Sequence, residues 1–376
     1  MKIAIVGDLH LGVTSRKSSV NTAVIRGQHE YIDTMIQEWK DNGVTHVVFL
    51  GDIFDNERFI ATDVLDYALR LFRDKLAEFK VFVIAGNHDM RFTNTSEVCS
   101  VSFLGSLPNV TVFDSRVGVE KFFGREWIFV PWVLPDNMDK VNEWLVKLAR
   151  KGSDNRVILG HFDIIGANMG AGNISQLGFD SKRLLNAAFL TFSGHYHVGS
   201  QIFNDEDRGI IYTGTPYHLT FTHVGTTSGY YIVDDEGCAD DGQLNFQFVE
   251  NKVSPIFVDV KDTEIDSQPE DMSNCIVRLF SDKQSSLETM SEVKTKLVNR
   301  NPIYIDQYYY GDDGTVVDED GEQLSEEEAK RVLGLDSLGM ASMYLDKHPE
   351  LCPKLNDTSV DPKEKIISML REYDAK

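Results

Sequence analysis

Cysteine is scarce in this chain. Only Cys99, Cys238, Cys275 and Cys352 occur among 376 residues, and no two form a Cys-x-x-Cys pair. Thiols so far apart read as reduced side chains in a cytoplasmic setting, not as a disulfide framework or a thiolate zinc site. Long apolar runs are missing too. None approaches the ~20 residues that a membrane-spanning helix needs, so no membrane association is expected. The first apolar run, Ile3-Ala4-Ile5-Val6, gives way to Asp8 too soon to be the hydrophobic region of a signal peptide. Gly-Lys-Ser/Thr is absent, which excludes a nucleotide P-loop and assigns any ATP dependence to a partner. There are no internal repeats and no low-complexity tracts. Basic residues are few: 37 Lys and Arg stand against 59 Asp and Glu, a net charge of −22. That balance disfavours nucleic acid and by itself favours a small-molecule substrate. Local charge can differ from the net, however, and bound divalent cations would offset carboxylates where a substrate sits.

What is present is an ordinary globular composition, 42% hydrophobic and 26% charged, over a length that predicts two or three domains at roughly 150 residues each. The first 200 residues alternate strand and helix. Strands are expected at 2–7, 45–50, 81–84, 109–113, 127–131, 156–159 and 189–192, and helices at 24–41, 62–79 and 137–150. From 200 to 250 the pattern turns to short hairpin strands. Residues 256–310 read as strand, helix, strand, a small α/β unit. The acidic segment Gly311–Glu322 lacks the spacing of a calcium-binding loop and reads as a solvated linker or turn. A tail helix is expected from Pro362, capped by Asp361, with Ile366, Ile367, Leu370 and Tyr373 on one stripe that docks either a partner or its own chain.

Chemistry concentrates just after the strands. In order come Asp8-x-His10, Gly51-Asp52-x-x-Asp55, Gly86-Asn87-His88-Asp89, Gly160-His161 and Gly194-His195-x-His197. A lone histidine says little, but five polar groups, each following an apolar strand, are hard to explain as packing. Buried carboxylates and imidazoles are costly unless paired or metal-bound, and ligands in α/β sheets bind beyond the carboxyl ends of strands. Alternation along a strand would turn Asp8 with His10, and His195 with His197, toward one pocket. Carboxylate, imidazole and amide oxygen suit Mn²⁺, Fe²⁺ or Zn²⁺. Two such ions about 3.5–4 Å apart can clamp a phosphoryl group for in-line displacement, and Asp52 is the natural bridge. Glycines before Asp52, Asn87, His161 and His195 are expected to permit tight turns.

These motifs resemble the signature of the calcineurin-like metallophosphoesterase superfamily over residues 1–235. The resemblance implies a four-layer α-β-β-α sandwich with a small α/β second domain and a helical C-terminal tail. It implies one metal held by Asp8, His10, Asp52 and His197 and a second by Asp52, Asn87, His161 and His195. His88 would be a non-ligand histidine serving the leaving oxygen. Within the superfamily, Lys2–Gly12, Gly86–Asp89 and Tyr212-Thr213-Gly214-Thr215-Pro216-Tyr217 look like SbcD-type DNA-repair nuclease subunits, particularly the small subunits of bacteriophage recombination endonucleases. That likeness implies two Mn²⁺ ions, a DNA substrate, a homodimer and an SbcC-like coiled-coil ATPase partner. The expected domains are a catalytic domain at 1–252, a capping or DNA-binding domain at 253–310, and a linker with a partner-binding tail at 311–376. One departure matters. Many members of the nuclease branch carry histidine where this chain has Asp55, which either pairs with His88 as a second catalytic residue or caps a loop.

Three readings remain open. The first is the DNA nuclease subunit; the second is a small-molecule or protein phosphoesterase of the same fold, favoured by the acidity and Asp55. A binding protein with a degenerate site is the third, and the full ligand set argues against it. Softer features are the glycine-containing stretch 163–179, a candidate phosphate cradle, and the basic residues Arg16, Lys17, Arg26, Arg58 and Arg91 near the site loops, which read as phosphate contacts or solvated charges.

Overall fold

The computed structural model describes residues 1–13, 18–135, 138–170, 173–204, 208–234, 244–310, 315–318, 321–325, 328–329, 345 and 366–367. The tail helix expected from 362, apart from Ile366 and Ile367, lies outside them, as do Arg16 and Lys17. None of the described helices is long and apolar enough to cross a membrane. The chain divides into two compact units, Met1–Ile256 and Phe257–Lys376.

The first unit begins with alternating β1 (Lys2–Val6), α1 (Ser18–Asp41), β2 (Val44–Phe49), α2 (Thr62–Arg70), β3 (Lys80–Ile84) and β4 (Val110–Phe113). Next come β5 (Gly118–Phe122), β6 (Arg125–Val130), α3 (Met138–Ala149) and β7 (Arg156–His161). A short pair, β8 (Asn168–Gly170) and β9 (Asn173–Ile174), precedes α4 (Ser181–Ala187) and β10 (Leu190–Gly194). The unit closes with β11 (Ser200–Phe203), β12 (Gly209–Tyr212), β13 (Gly229–Asp234) and β14 (Asn245–Glu250).

These strands make two six-stranded sheets, ordered β14-β13-β1-β2-β3-β4 and β11-β12-β10-β7-β6-β5. The centre of each is parallel: β1 through β4 in the first, and β6, β7, β10 and β12 in the second. Alternation along the strands decides which face goes where. Ile3, Ile5, Val48, Leu50, Phe82 and Ile84 of the first sheet share one core with Trp127, Phe129, Val157, Leu159 and Phe192 of the second. The intervening residues Ile128, Val130, Ile158 and Ile210 turn outward and pack with Leu145 and Leu148 of α3 and Leu184 and Leu185 of α4. Helix α1 covers the first sheet from outside, where Trp39 sets its ring edge-on to Phe79 and to Tyr230 of β13. Buried apolar side chains of this size contribute roughly 1.5–3 kcal/mol each. The result is the expected α/β sandwich, helices outside two facing sheets.

Some elements differ from the sequence expectation. Strand β5, the pair β8 and β9, and helix α4 were not anticipated. The helix expected over 62–79 is α-helical only to Arg70 and then widens into a π turn over Leu71–Lys75. The strands after residue 200 do form the expected hairpins, β11 with β12 extending the second sheet and β13 with β14 extending the first.

The second unit holds one sheet, β15 (Ile256–Lys261), β16 (Cys275–Asp282), β17 (Tyr304–Tyr310) and β18 (Val316–Asp318), with α5 (Leu287–Val298) joining the parallel pair β16 and β17. Its core is Val260, Ile265, Met272, Val277, Leu279, Val293 and Leu297. Part of the acidic segment taken for a linker is β18, paired antiparallel with β17. The buried Arg278 donates two hydrogen bonds to Asp259 (2.8 and 3.0 Å) and one to Glu328 (2.8 Å). Breaking such a buried network by removing one partner costs about 3–5 kcal/mol, so Glu328 belongs to this unit structurally.

Candidate metal centre

Loops leaving the carboxyl ends of β1, β2, β3 and β10, with the last residue of β7, converge on one point. The reason is topological: parallel strands in both facing sheets end on the same side. Asp8, His10, Asp52 and His161 are buried there. Carboxylate or imidazole donors of Asp8, His10 and His197 lie within 4.8 Å of one another, as do those of Asp8, Asp52 and His161.

Asp8 is common to both groups, and Asp52 of the second also approaches His10 of the first. Asp52 Oδ2 is 3.7 Å from His10 Nε2 and 3.4 Å from His161 Nε2. Asn87 Oδ1 accepts from His161 Nε2 and His195 Nδ1, both at 2.9 Å. His161 Nδ1 donates to the Leu50 carbonyl oxygen at 2.8 Å, the backbone contact that commonly fixes a metal-binding imidazole with its Nε2 facing the ion. Neither ring nitrogen of the buried His10 has a hydrogen-bond partner, an unusual cost for a polar group away from water. Asp55 Oδ1 approaches His10 Nδ1 to 3.1 Å without hydrogen-bonding geometry. Orphaned nitrogen, convergent carboxylates and a shared amide oxygen are the donor set that divalent ions take.

Electrostatics agree with a cluster made for cations. Burial pushes the Asp8 carboxyl up to about 7, against the pull of His161. Burial would also raise Asp52, but the imidazoles of His161, His10 and His88 hold it below the usual carboxylate range. Burial works against a charged His161, yet Asp52 and Asp8 bring it up to about 9. Both its nitrogens face oxygens that only accept, so the metal-free ring is an imidazolium. His195 is pulled down to about 4 by burial and by His161.

The local reasons for this convergence correct two sequence arguments. Neither Asp8 and His10 nor His195 and His197 lie on a strand, since β1 ends at Val6 and β10 at Gly194. Backbone turns aim them instead: φ is +46° at His10, +48° at Asp52 and +94° at His195. Gly51 does take a left-handed φ of +113°, as a tight turn requires, but Gly86 and Gly194 are required for room. A Cβ on Gly86 would lie 2.1 Å from Asp52 Oδ1, and one on Gly194 would lie 2.4 Å from Asp8 Oδ1.

His88 is half-buried beside the cluster, its ring 5.0 Å from that of His10. Its Nδ1 donates to the carbonyl oxygen of Asp55 at 2.8 Å. Of the two readings of Asp55, pairing of its carboxylate with His88 is not formed here, because that carboxylate turns toward His10. The main-chain contact still fixes the tautomer, leaving Nε2 to face outward.

Sequence reasoning quoted Asp89 but gave it no role. Fully buried, it accepts N–H bonds from Ile53 (3.1 Å) and Gly86 (2.9 Å), tying the loop after β2 to the loop after β3. Gln28 supports His10 through its carbonyl oxygen (3.3 Å), and Tyr217 donates to that of Leu9 (2.6 Å). Trp132 was missed altogether; its ring centroid is 5.0 Å from that of His195. Within 163–179 the described residues pair β8 antiparallel with β9, and Ser175 donates to Asp163 (2.9 Å). Arg26 lies 3.8 Å from Glu30, and Arg58 3.7 Å from Glu57, both exposed pairs.

Fold and donor set define a metal-dependent phosphoesterase, and the chain belongs to the calcineurin-like phosphoesterase family, whose model matches residues 1–253. Exonuclease subunit 1 of Enterobacteria phage T4 is 29% identical over 238 residues, covering 63% of this chain and 65% of that protein, just under two thirds of the relative's length. A dimetal phosphatase from Danio rerio overlays loosely, with a TM-score of 0.42 and 14% identity over 62% of this chain and 92% of its own.

Proposed function

We propose that this chain is the nuclease subunit of a DNA-processing enzyme and hydrolyses phosphodiester bonds with two divalent ions, Mn²⁺ being the expected metal. The observation that carries the binuclear reading is the single oxygen Asp52 Oδ2, facing imidazole nitrogens of both donor groups. In this assignment Asp8, His10, Asp52 and His197 hold one ion, and Asp52, Asn87, His161 and His195 the other. Ions held there would supply Lewis-acid neutralisation of the phosphoryl charge. His88, its Nδ1–H fixed by the Asp55 carbonyl, would act as an imidazolium and give its Nε2 proton to the departing oxygen. Likeness to a phage exonuclease subunit supports DNA as substrate. The net charge of −22 instead favours a small-molecule or protein phosphoester, so the test compares substrates. With Mn²⁺, and more weakly with Mg²⁺, the protein should cut single- or double-stranded DNA, and chelation should abolish the cutting. Hydrolysis of a generic phosphodiester with no attack on either DNA would discard the nuclease reading and keep the phosphoesterase.

The word subunit in that relative's name supports a partner subunit; the resemblance of the motifs to SbcD-type subunits further implies an SbcC-like ATPase, a homodimer through the catalytic domain, a capping or DNA-binding role for 253–310 and partner docking by the tail. Deletion must spare Glu328 and Ala329, which pack in the second unit, and the buried Leu345. Removing residues 346–376 should leave basal DNA hydrolysis within about twofold, since no proposed ligand lies beyond His197. Co-purification with the ATPase should be lost. Undiminished co-purification would move the docking site out of the tail.

A further inference from the structure

Beside the metal centre lies a cleft of about 330 Å³ that the proposed chemistry leaves unused. Its walls include Pro131, Trp132, Val133 and Trp144, and Asp114 and Ser115 supply polar edges. The four tryptophans of the chain divide sharply. Trp39 and Trp127 are fully buried in the cores. Trp132 and Trp144 are only half-buried and line this one cleft. Leaving two indoles partly wet forgoes hydrophobic stabilisation, so the open faces call for an occupant.

Position identifies its chemistry. Trp132 follows β6, and its backbone N–H donates to the Ala85 carbonyl oxygen (2.9 Å), immediately before the Gly86-Asn87 turn. Its ring lies against His195 (5.0 Å between centroids) and His161 (5.8 Å), so a single indole borders both the cleft and the metal ligands. A molecule filling the cleft while reacting at the metals must carry a flat apolar group one short linkage from its phosphate. A nucleotide meets that description. The Asp114 carboxylate accepts from Ser102 (2.6 Å) and Ser115 (3.0 Å), fixing an acceptor at the edge. An acceptor there matches the exocyclic amino groups of adenine, cytosine and guanine, which thymine lacks.

We propose that this cleft seats a base next to the cleaved bond, stacked on Trp132, and so deepens the nuclease reading on which it rests. Stacking is sequence-tolerant and needs no basic surface, which suits a chain of net charge −22.

The test uses full-length protein with Mn²⁺ and oligonucleotides that are either intact or abasic at one of the two positions flanking the cleaved bond. Removing the base at one of these positions should lower kcat/KM by about 5- to 150-fold. In Trp132→Leu the intact and abasic substrates should differ by less than about twofold, a ratio that general damage to the site would not collapse. Equal cleavage of intact and abasic DNA by the unaltered protein overturns the base site and leaves the nuclease reading standing. Cleavage of no oligonucleotide defeats both. Should Trp132→Leu not fold, tryptophan fluorescence of the unaltered protein decides: dAMP should quench it and 2-deoxyribose 5-phosphate should not. Equal responses to the two overturn the proposal.

Discussion

Asp52→Asn should purify with far less than one equivalent of metal and lose at least about 10³-fold in kcat, because one carboxylate oxygen serves both donor groups. Asparagine is the better probe than alanine. It keeps the size of the buried side chain, and it tolerates the +48° φ at this position, where alanine would add strain. It also keeps an acceptor for the His88 N–H, which bonds Asp52 Oδ1 at 2.8 Å. Asp8→Asn is the comparison. Asp8 also lies within 4.8 Å of Asp52 and His161, but the imidazole nitrogen it approaches there, His161 Nδ1 at 3.6 Å, is already committed to the Leu50 carbonyl. It should therefore weaken one ion and retain much of the other. Metal analysis of the purified variants settles the matter: two full equivalents in Asp52→Asn would end the bridging assignment.

His88→Ala should lower turnover by about 10²–10⁴-fold with metal content unchanged, the usual range for losing a general acid. The contact from residue 88 to Asp52 is made by the backbone N–H, so the substitution spares it. An ester with a very acidic leaving group needs little protonation and should be cleaved nearly normally by the variant. If that ester suffers as badly as DNA, or if metal is lost in parallel, His88 is not a proton donor.

Much of the site could be read in the sequence because parallel strands announce themselves as short apolar runs, and the residues after them fall at one edge. Residue identity was thus legible, but the local geometry was not. Alternation seemed to explain Asp8 with His10, yet the chain leaves β1 at Val6 and reaches the site through left-handed turns at residues other than glycine. No pattern signals such a conformation. The glycines were visible, but the space at Gly86 and Gly194 is filled by the Asp52 and Asp8 carboxylates, from the loops after β2 and β1, which are distant in sequence. Strand β5 escaped because an edge strand alternating Val119, Lys121 and Glu120 offers little apolar signal. The π turn at 71–75 was hidden by apolar spacing that continues through Phe72 and Leu76. Trp132 looked like any core aromatic; only the neighbouring imidazoles reveal otherwise.

The left-handed backbone at His10, Asp52 and His195 bears on how such a protein changes over generations. Selection for folding alone would drift these three positions toward glycine, which adopts positive φ without steric cost. Histidine and aspartate there each sacrifice stability, of order 1 kcal/mol or more where φ lies farthest from the allowed well. Their presence records a second selective pressure, one acting on the side chains themselves. A lineage freed from that pressure would grow more stable as it lost its metals, so residue type at these three positions would distinguish a working descendant from one that retains only the shape.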